Sequence, residues 1–224
     1  MTASPNDITP PPPGEWTFEN TATAKGFDTH VRGQLPWYDL MTEATLHVAR
    51  HYIPHKGHVY DFGCSTGNIG KKLADTLALR KASFTPVDNS TAMSEQYDGP
   101  GNIVVADMAT MDLQPFDVAI CFLSLMFVPV KDRRPFLNRL QESARPGGCI
   151  FIVDKMEARG GYTATINARL TLLGKRQAGV SCEDIVAKEL SLMGVQRPLQ
   201  LNEISATAVQ VFQWGEFAGF VIET

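Results

Sequence analysis

Several features that this chain of 224 residues lacks exclude classes of function before any motif is considered. Its four cysteines, Cys64, Cys121, Cys149 and Cys182, form no Cys-x-x-Cys pair, which excludes a zinc ribbon and a disulfide framework. There is no signal peptide and no apolar run of about 20 residues, so we expect a cytoplasmic chain outside the membrane. The net charge of −4 gives no general attraction for nucleic acid, which favours a small-molecule substrate. We also expect no bound metal.

Two common nucleotide-binding signatures are missing as well. Residues 59–70 read VYDFGCSTGNIG, which matches neither G-x-G-x-x-G nor the P-loop pattern. The stretch nevertheless predicts a strand, a glycine turn and a helix, an arrangement that presents backbone amides to a ligand. We expect Gly63 and Gly67 to let the backbone approach a bulky ligand where a Cβ would collide.

The alternation of apolar strands with amphipathic helices predicts an α/β fold with a mainly parallel sheet. Residues 1–15 contain five prolines and are predicted to be a disordered tail, and residues 16–224 to be one domain. Residues 156–195 are predicted to be a helical insertion, followed by an antiparallel hairpin at 208–223. The predicted helices are 36–52, 71–80 and 131–145, and the predicted strands are 58–62, 82–90, 102–107, 116–125, 149–155, 208–215 and 216–223.

The order of strands and acidic residues resembles the order found in the class I S-adenosylmethionine (SAM) dependent methyltransferases. Their first motif, D/E-x-G-x-x-x-G after an apolar strand, is matched by Asp61, Gly63 and Gly67. The resemblance implies a Rossmann-like seven-stranded sheet and a loop around the methionine part of SAM. It also implies that Asp88 contacts the ribose hydroxyls and that Asp107 lies at the adenine.

Across residues 27–223 the chain resembles more closely the carboxy-S-adenosylmethionine (carboxy-SAM) synthase family. The matching segments are FDTHV, PWYDL, VYDFGCSTG, VDNS, FVPVKDR, LQESARPGG and FQWGEFAGFVIE. The resemblance implies transfer of a carboxyl group from prephenate to SAM by a homodimer. It places Arg197 on the new carboxylate across the dimer interface and Tyr38 over the cofactor, so both are candidate catalytic residues. The implied cofactor contacts are Tyr38, Asp61, Gly63, Cys64, Ser65, Gly67, Asp88, Asn89, Asp107, Met108 and Phe122.

One departure from that family keeps other functions open. Phe122 stands where the family has an asparagine near the transferred group, and a phenyl ring cannot make that hydrogen bond. A conventional methyltransferase, with His30 or Tyr38 as general base, is therefore an alternative, and a SAM-binding partner protein without catalysis is another. Base methylation is disfavoured, because CFLSLMF replaces the N-P-P-Y signature after the fourth strand.

The predicted insertion also leaves two interpretations open. Its leucines and methionine could form a dimer contact over the cofactor, or they could pack onto the parent sheet. These residues are Leu170, Leu172, Leu173, Leu190, Leu192 and Met193.

Overall fold

One sheet of seven strands forms the centre of the protein, whose computed structural model describes residues 8–158 and 160–224. The strand order is β3-β2-β1-β4-β5-β7-β6. The first five strands are parallel, and β7 runs antiparallel to both β5 and β6. This confirms the predicted sheet and its closing hairpin. The strands are His58–Phe62 (β1), Ser83–Asp88 (β2), Val104–Val105 (β3), Phe116–Phe122 (β4), Ala144–Lys155 (β5), Val209–Trp214 (β6) and Phe217–Glu223 (β7).

Helices cover both faces of this sheet. They are Thr21–Gln34 (α1), Tyr38–Tyr52 (α2), Asn68–Arg80 (α3), Thr91–Ser94 (α4), Val130–Ser143 (α5), Gly161–Gln177 (α6) and Cys182–Ser191 (α7). Within the described ranges, none of them is both long enough and apolar enough to cross a membrane.

The central strands are buried on both sides, which explains why they read as continuous apolar runs. All seven residues of β4 are buried. One apolar cluster joins the sheet to α2 and α3, and a second joins its other face to α5. Because β1 to β5 are parallel, their carboxyl ends lie at one edge of the sheet, where side chains can converge on a ligand.

Helix α1 is absent from the sequence prediction because its buried face is unusually polar. Its buried residues include Thr23, His30 and Gln34 beside Ala24 and Val31. A helix whose inward face is polar does not show the apolar period on which the prediction depends. The helix begins after Asn20, whose side chain accepts hydrogen bonds from the backbone N–H groups of two residues in the first turn.

Pro86 lies inside β2 and is tolerated because its missing N–H faces an unpaired edge. Val87 O accepts from Gly63 N on the β1 side, so the neighbouring Pro86 nitrogen points towards β3. Strand β3 pairs only with Val87 and Asp88. No ladder bond is lost at Pro86, and the strand forms despite the proline.

The start of the described chain is packed onto α7, which differs from the expectation of a disordered tail over residues 1–15. Residues 1–7 of that stretch lie outside the described residues. Ile8 and Trp16 are buried against Leu192. Gly14 N donates to Leu190 O at 3.0 Å, and Trp16 N donates to Ser191 O at 3.1 Å. Residues 8–18 therefore form a segment that lies over the helical insertion.

Arg133 on α5 is a fully buried cation that joins two loops at the carboxyl edge of the sheet. Its guanidinium pairs with Glu203 at 3.1 Å and donates to the carbonyls of Val128 and Arg197 at 2.9 and 2.7 Å. Its side chain is 1% exposed, so these bonds replace its hydration almost completely. The contact fixes the loop after β4 against the segment that contains Arg197.

Replacing Arg133 by alanine should lower the free energy of unfolding by about 3 kcal/mol, because Glu203 would lose its buried partner and several carbonyls their donors. Urea denaturation followed by circular dichroism measures this difference. Lys131→Ala, at an exposed position on the same helix, is the control and should change stability by less than about 0.5 kcal/mol. Equal stability of the two variants would contradict the structural role given to Arg133.

Candidate active site

A cavity of about 250 Å³ opens at the carboxyl ends of β1, β2, β4 and β5. All of the sequence-predicted site residues line it, with the exceptions of Gly67 and Arg197. The predicted residues at the cavity are Tyr38, Asp61, Gly63, Cys64, Ser65, Asp88, Asn89, Asp107, Met108 and Phe122. Residues that are far apart in the sequence are thus brought to one site.

The two motif glycines are required chiefly by the chain itself. Gly63 lines the cavity with φ +75°, and a Cβ there would lie 2.5 Å from Ser124 Cβ. Gly67 precedes α3 with φ +94°, and its Cβ would lie 2.9 Å from Gly99 N. Neither conformation suits a residue with a side chain. The expectation that Gly67 makes room for a ligand is thus replaced by a packing reason.

Asp88 holds the glycine loop in place. Its Oδ2 accepts from Ser65 N at 2.8 Å, and its Oδ1 accepts from Ser90 N at 3.0 Å. Ser65 itself has φ +51°, so the carboxylate stabilises a backbone conformation that is otherwise unfavourable. Each oxygen keeps a second lone pair, which leaves Asp88 able to accept from a ligand hydroxyl.

Asp61, the last residue but one of β1, is the most deeply buried carboxyl at the cavity. Its side chain is 1% exposed, and its Oδ2 has no hydrogen-bond partner. Burial, and secondarily the nearby charge of Asp88, raises the pKa of Asp61 to about 8. A buried oxygen without a donor fits a ligand that brings its own donor, above all a cationic one.

Aromatic side chains form the wall on the β4 side. The rings of Tyr38 and Phe122 meet edge to face with centroids 5.4 Å apart, and the guanidinium of Arg32 lies 5.1 Å from the Tyr38 ring centroid. Burial raises the pKa of Tyr38 above its ordinary value, so the phenol stays neutral near pH 7. Leu123, which follows Phe122, has φ +56° and also lines the cavity. Backbone in this region is uncommon for leucine and is typical of functional sites.

His30, weighed in the sequence only as a possible base, belongs to the cavity wall. It is 4% exposed, stacks on Trp16 at 5.6 Å, and neither ring nitrogen has a partner. Burial, followed by the charges of Lys188 and Lys175, lowers its pKa to about 4. The imidazole is therefore neutral near pH 7.

Several cavity residues carry no sequence signal at all. Trp16 and Phe18 come from the stretch after the proline-rich start, and Gln34 comes from the unpredicted α1. Lys155, Lys175, Lys188 and Glu189 come from β5 and the insertion. Lysines on amphipathic helices normally point to solvent, so their position here follows only from tertiary packing.

Arg197 does not reach the cavity of its own chain. Its side chain is exposed and lines a separate depression with Arg134 and Glu203, although the adjacent Gln196 lines the main cavity. Its backbone is fixed on both sides, since Arg197 N donates to Met126 O at 2.8 Å and its carbonyl accepts from Arg133.

The cavity residues fit SAM. The orphaned carboxylate oxygen of Asp61 matches an ammonium group, and Asp88 and Asp107 can accept from hydroxyl or amino groups. Met93 and Met108 supply apolar, polarizable walls between them. Bound there, SAM would supply an activated carbon on a sulfonium. Within residues 8–158 and 160–224, no group of three or more His, Cys, Asp or Glu side chains is placed to hold a metal.

Comparison with known families and folds agrees with this site. Residues 59–148 match the family described as "Methyltransferase domain". The chain is similar in fold to a magnesium protoporphyrin IX methyltransferase from Synechocystis with bound S-adenosylhomocysteine (SAH), with a TM-score of 0.53 at 15% identity over 93% of this chain and 87% of that one. A TehB-like SAM-dependent methyltransferase from Corynebacterium glutamicum gives 0.52 at 17% identity, over 91% and 99%. The protein is thus a SAM-dependent transferase with the class I methyltransferase fold.

Its sequence similarity extends well beyond that domain. The chain is 24% identical over 222 residues to a carboxy-S-adenosyl-L-methionine synthase from Staphylococcus epidermidis, covering 93% of this chain and 97% of that protein. A protein of the same name from Aliivibrio salmonicida is 28% identical over 200 residues, covering 83% and 80%. The chain is therefore similar to carboxy-SAM synthases over most of its length.

Asp61→Asn should stabilise the ligand-free protein at alkaline pH and weaken SAM binding. The pKa of Asp61 is raised in the folded state, so stability associated with its neutral form is lost as pH rises from about 4 through about 8. At pH 9 the variant should melt about 3 °C higher than the wild type, with little difference at pH 4. Its affinity for SAM at pH 8 should fall at least about tenfold, because an amide cannot pair with a cation as a carboxylate does.

Asp117→Asn provides the control, since Asp117 is also buried but already accepts from His58 N and Arg145, both at 2.7 Å. This variant should be destabilised at pH 9 and should keep its SAM affinity. A destabilised Asp61→Asn protein with normal SAM affinity would contradict the role given to Asp61.

Proposed function

We propose that the protein transfers a carboxyl group from prephenate or a similar donor to the activated methyl carbon of SAM. The observation that supports this most is similarity to proteins named carboxy-SAM synthase over 93% of the chain, far beyond the segment that matches a general methyltransferase domain. The buried aromatic wall of Tyr38 and Phe122 would exclude water from the reacting carbon. Tyr38, neutral and fixed beneath Arg32, would position the cofactor.

The proposal includes a homodimer in which Arg197 of one protomer holds the new carboxylate in the other. Exposed apolar side chains on α6 support such an interface, because Tyr162, Ile166, Leu170 and Leu173 repeat at helical spacing. Arg197 is exposed and its backbone is fixed, which suits a guanidinium that acts on a partner chain. A cytoplasmic location is also proposed, supported by four free cysteines.

A conventional methyltransferase is the second candidate, and His30 favours it. This imidazole is neutral near pH 7 and has two ring nitrogens without partners at the cavity, so it could accept a proton from an acceptor molecule. The apolar Phe122 side chain, in place of the family asparagine, is compatible with this chemistry.

Incubation with SAM and prephenate labelled with ¹³C at its carboxyl groups separates the two candidates. Mass spectrometry should show a nucleoside product with the mass of SAM plus one labelled carboxyl group. A product that appears only with a methyl acceptor, and never carries label from prephenate, would favour the conventional methyltransferase and reject the proposal.

Mixing two inactive variants tests whether Arg197 acts across subunits. Asp61→Asn and Arg197→Ala homodimers should each have little activity. After subunit exchange, about half of the dimers are mixed and each contains one complete site, so about a quarter of the wild-type activity should return. If Arg197 acts within its own chain, or not at all, mixing will restore nothing beyond the sum of the separate activities.

A further inference from the structure

Three lysines meet at the end of the cavity opposite the glycine loop. Lys155 ends β5, Lys175 lies on α6 and Lys188 lies on α7. In the sheet, β5 is two strands from β1, and the end of β1 at Phe62 is level with Ile152, three residues before Lys155. Lys155 therefore lies roughly 14 Å from the end of β1, about 10 Å across the strands and about 10 Å along them. The cavity is thus acidic at one end and basic at the other.

Glu189 only partly balances the positive charge of this cluster. Its Oε1 lies 2.7 Å from Lys175 Nζ, and its Oε2 lies 3.9 Å from Lys155 Nζ. Burial alone would raise the pKa of Glu189, but Lys175 and Lys155 lower it below its ordinary value, so it is ionised. Lys188 is left without a carboxylate partner among the described residues, and its Nζ lies over the Trp16 ring.

A buried amine in this position is unfavourable unless an anion joins it. Lys188 is 8% exposed, and burial together with the charge of Lys175 lowers its pKa to about 5. The other charged group that acts on this corner is Asp184, which faces His30 from the first turn of α7. Near pH 7 Lys188 is therefore a neutral amine, while Lys155 and Lys175 share the single carboxylate of Glu189. An anion bound here would favour the protonated form of Lys188.

Unpartnered polar side chains surround the same end of the cavity. His30 is 4% exposed and neither of its ring nitrogens has a partner. Gln34 Oε1 and Thr171 Oγ1 are likewise buried and unpartnered, and all three residues line the cavity. Buried polar atoms without partners are rare, and several in one wall indicate a polar ligand.

The walls next to this end are apolar and aromatic. Phe27, Val31, Leu35, Phe122 and Phe217 also line the cavity. The segment of residues 8–18 lies over the basic end through Trp16, whose backbone is bonded to α7. A ligand that fits here has an anionic group for the lysines and an apolar ring for these walls.

We infer that Lys175 and Lys188, with Lys155, form a subsite within one chain that binds the carboxylate of the second substrate, a carboxylic acid with an apolar ring. This inference rests on the proposed function: Lys175 and Lys188 of the insertion, with Lys155 of β5, anchor the second substrate, whereas Arg197 of the partner holds the new carboxylate. Glu189 keeps Lys175 in position, and Trp16 shields Lys188 from water. Binding of the anion is accompanied by uptake of a proton from solvent at Lys188.

Calorimetry on the full chain saturated with SAH tests the subsite, with 3-phenylpropionate as the anionic probe and 3-phenylpropanamide as its neutral counterpart. The wild type should bind the acid at least tenfold more tightly than the amide. Lys188→Met and Lys175→Met should each lose at least tenfold in affinity for the acid and retain their affinity for SAH. Arg169→Met is the matched control, because it removes the same charge from an exposed position on α6 outside the cavity and should bind as the wild type does.

Proton uptake gives a readout that a purely structural lysine would not change. At pH 7, the binding enthalpy of the acid should differ between phosphate and Tris buffers for the wild type and should become equal in Lys188→Met. Lys188→Arg should restore acid binding without proton uptake. Since Lys188 forms no ion pair with the described carboxylates, Lys188→Met decides the question even if Lys175→Met does not fold.

Three outcomes would overturn the inference: no acid binding by the wild type, equal binding of acid and amide, or unchanged binding in Lys188→Met that retains SAH. The proposed function fails separately. If the acid binds through the lysines and the labelled carboxyl is never transferred, the subsite stands and the carboxyl-transfer chemistry is wrong. If transfer proceeds unchanged in Lys188→Met, only the subsite is wrong.

Discussion

A carboxylate buried at the end of β1 is the constraint on which the site depends. Asp61 has an oxygen with no partner and is surrounded by protein, so its ionised form is unfavourable until a donor arrives. The loop that follows it can reach its position only with positive φ at Gly63, Ser65 and Gly67. Asp88 fixes that loop by accepting from Ser65 N. A cationic ligand at Asp61 would relieve the unfavourable charge and use the backbone that the loop presents.

The topology of the sheet separates this acidic end from a basic one. Asp61 is the last residue but one of β1 and Asp88 is the last of β2, whereas β5, on the other side of β4, ends in Lys155 near the inserted helices α6 and α7. The aromatic pair of Tyr38 and Phe122 lies on the β4 side of the cavity. The cavity therefore has carboxylates at one end and lysines at the other. A cationic substrate and an anionic substrate would each bind at a defined end.

The sheet could be predicted from the sequence because its central strands are continuous apolar runs. FDVAICF is buried at every position, and the spacing of Asp61, Gly63 and Gly67 marks the turn after β1. Helix α1 could not be predicted, because the face that it buries is polar and faces the cavity. The packing reason for a glycine at position 67 could not be predicted either, because it depends on contact with Gly99 in a distant loop.

The basic end of the site could not be predicted for a similar physical reason. Lys175 and Lys188 lie on helices whose pattern suggests solvent exposure, and only the packing of α6, α7 and Trp16 buries them. Proline content likewise suggested that the start of the chain would not pack, yet Ile8 and Trp16 are buried. Local composition cannot predict burial that depends on tertiary contacts with distant parts of the chain.

Mass spectrometry of the small molecule released on denaturing the freshly purified protein tests the central claim most directly. The account predicts a nucleoside with the mass of SAM plus one carboxyl group, released in proportion to protein. Absence of any nucleoside, together with no binding of added SAM, would contradict both the site built around Asp61 and the function proposed from it.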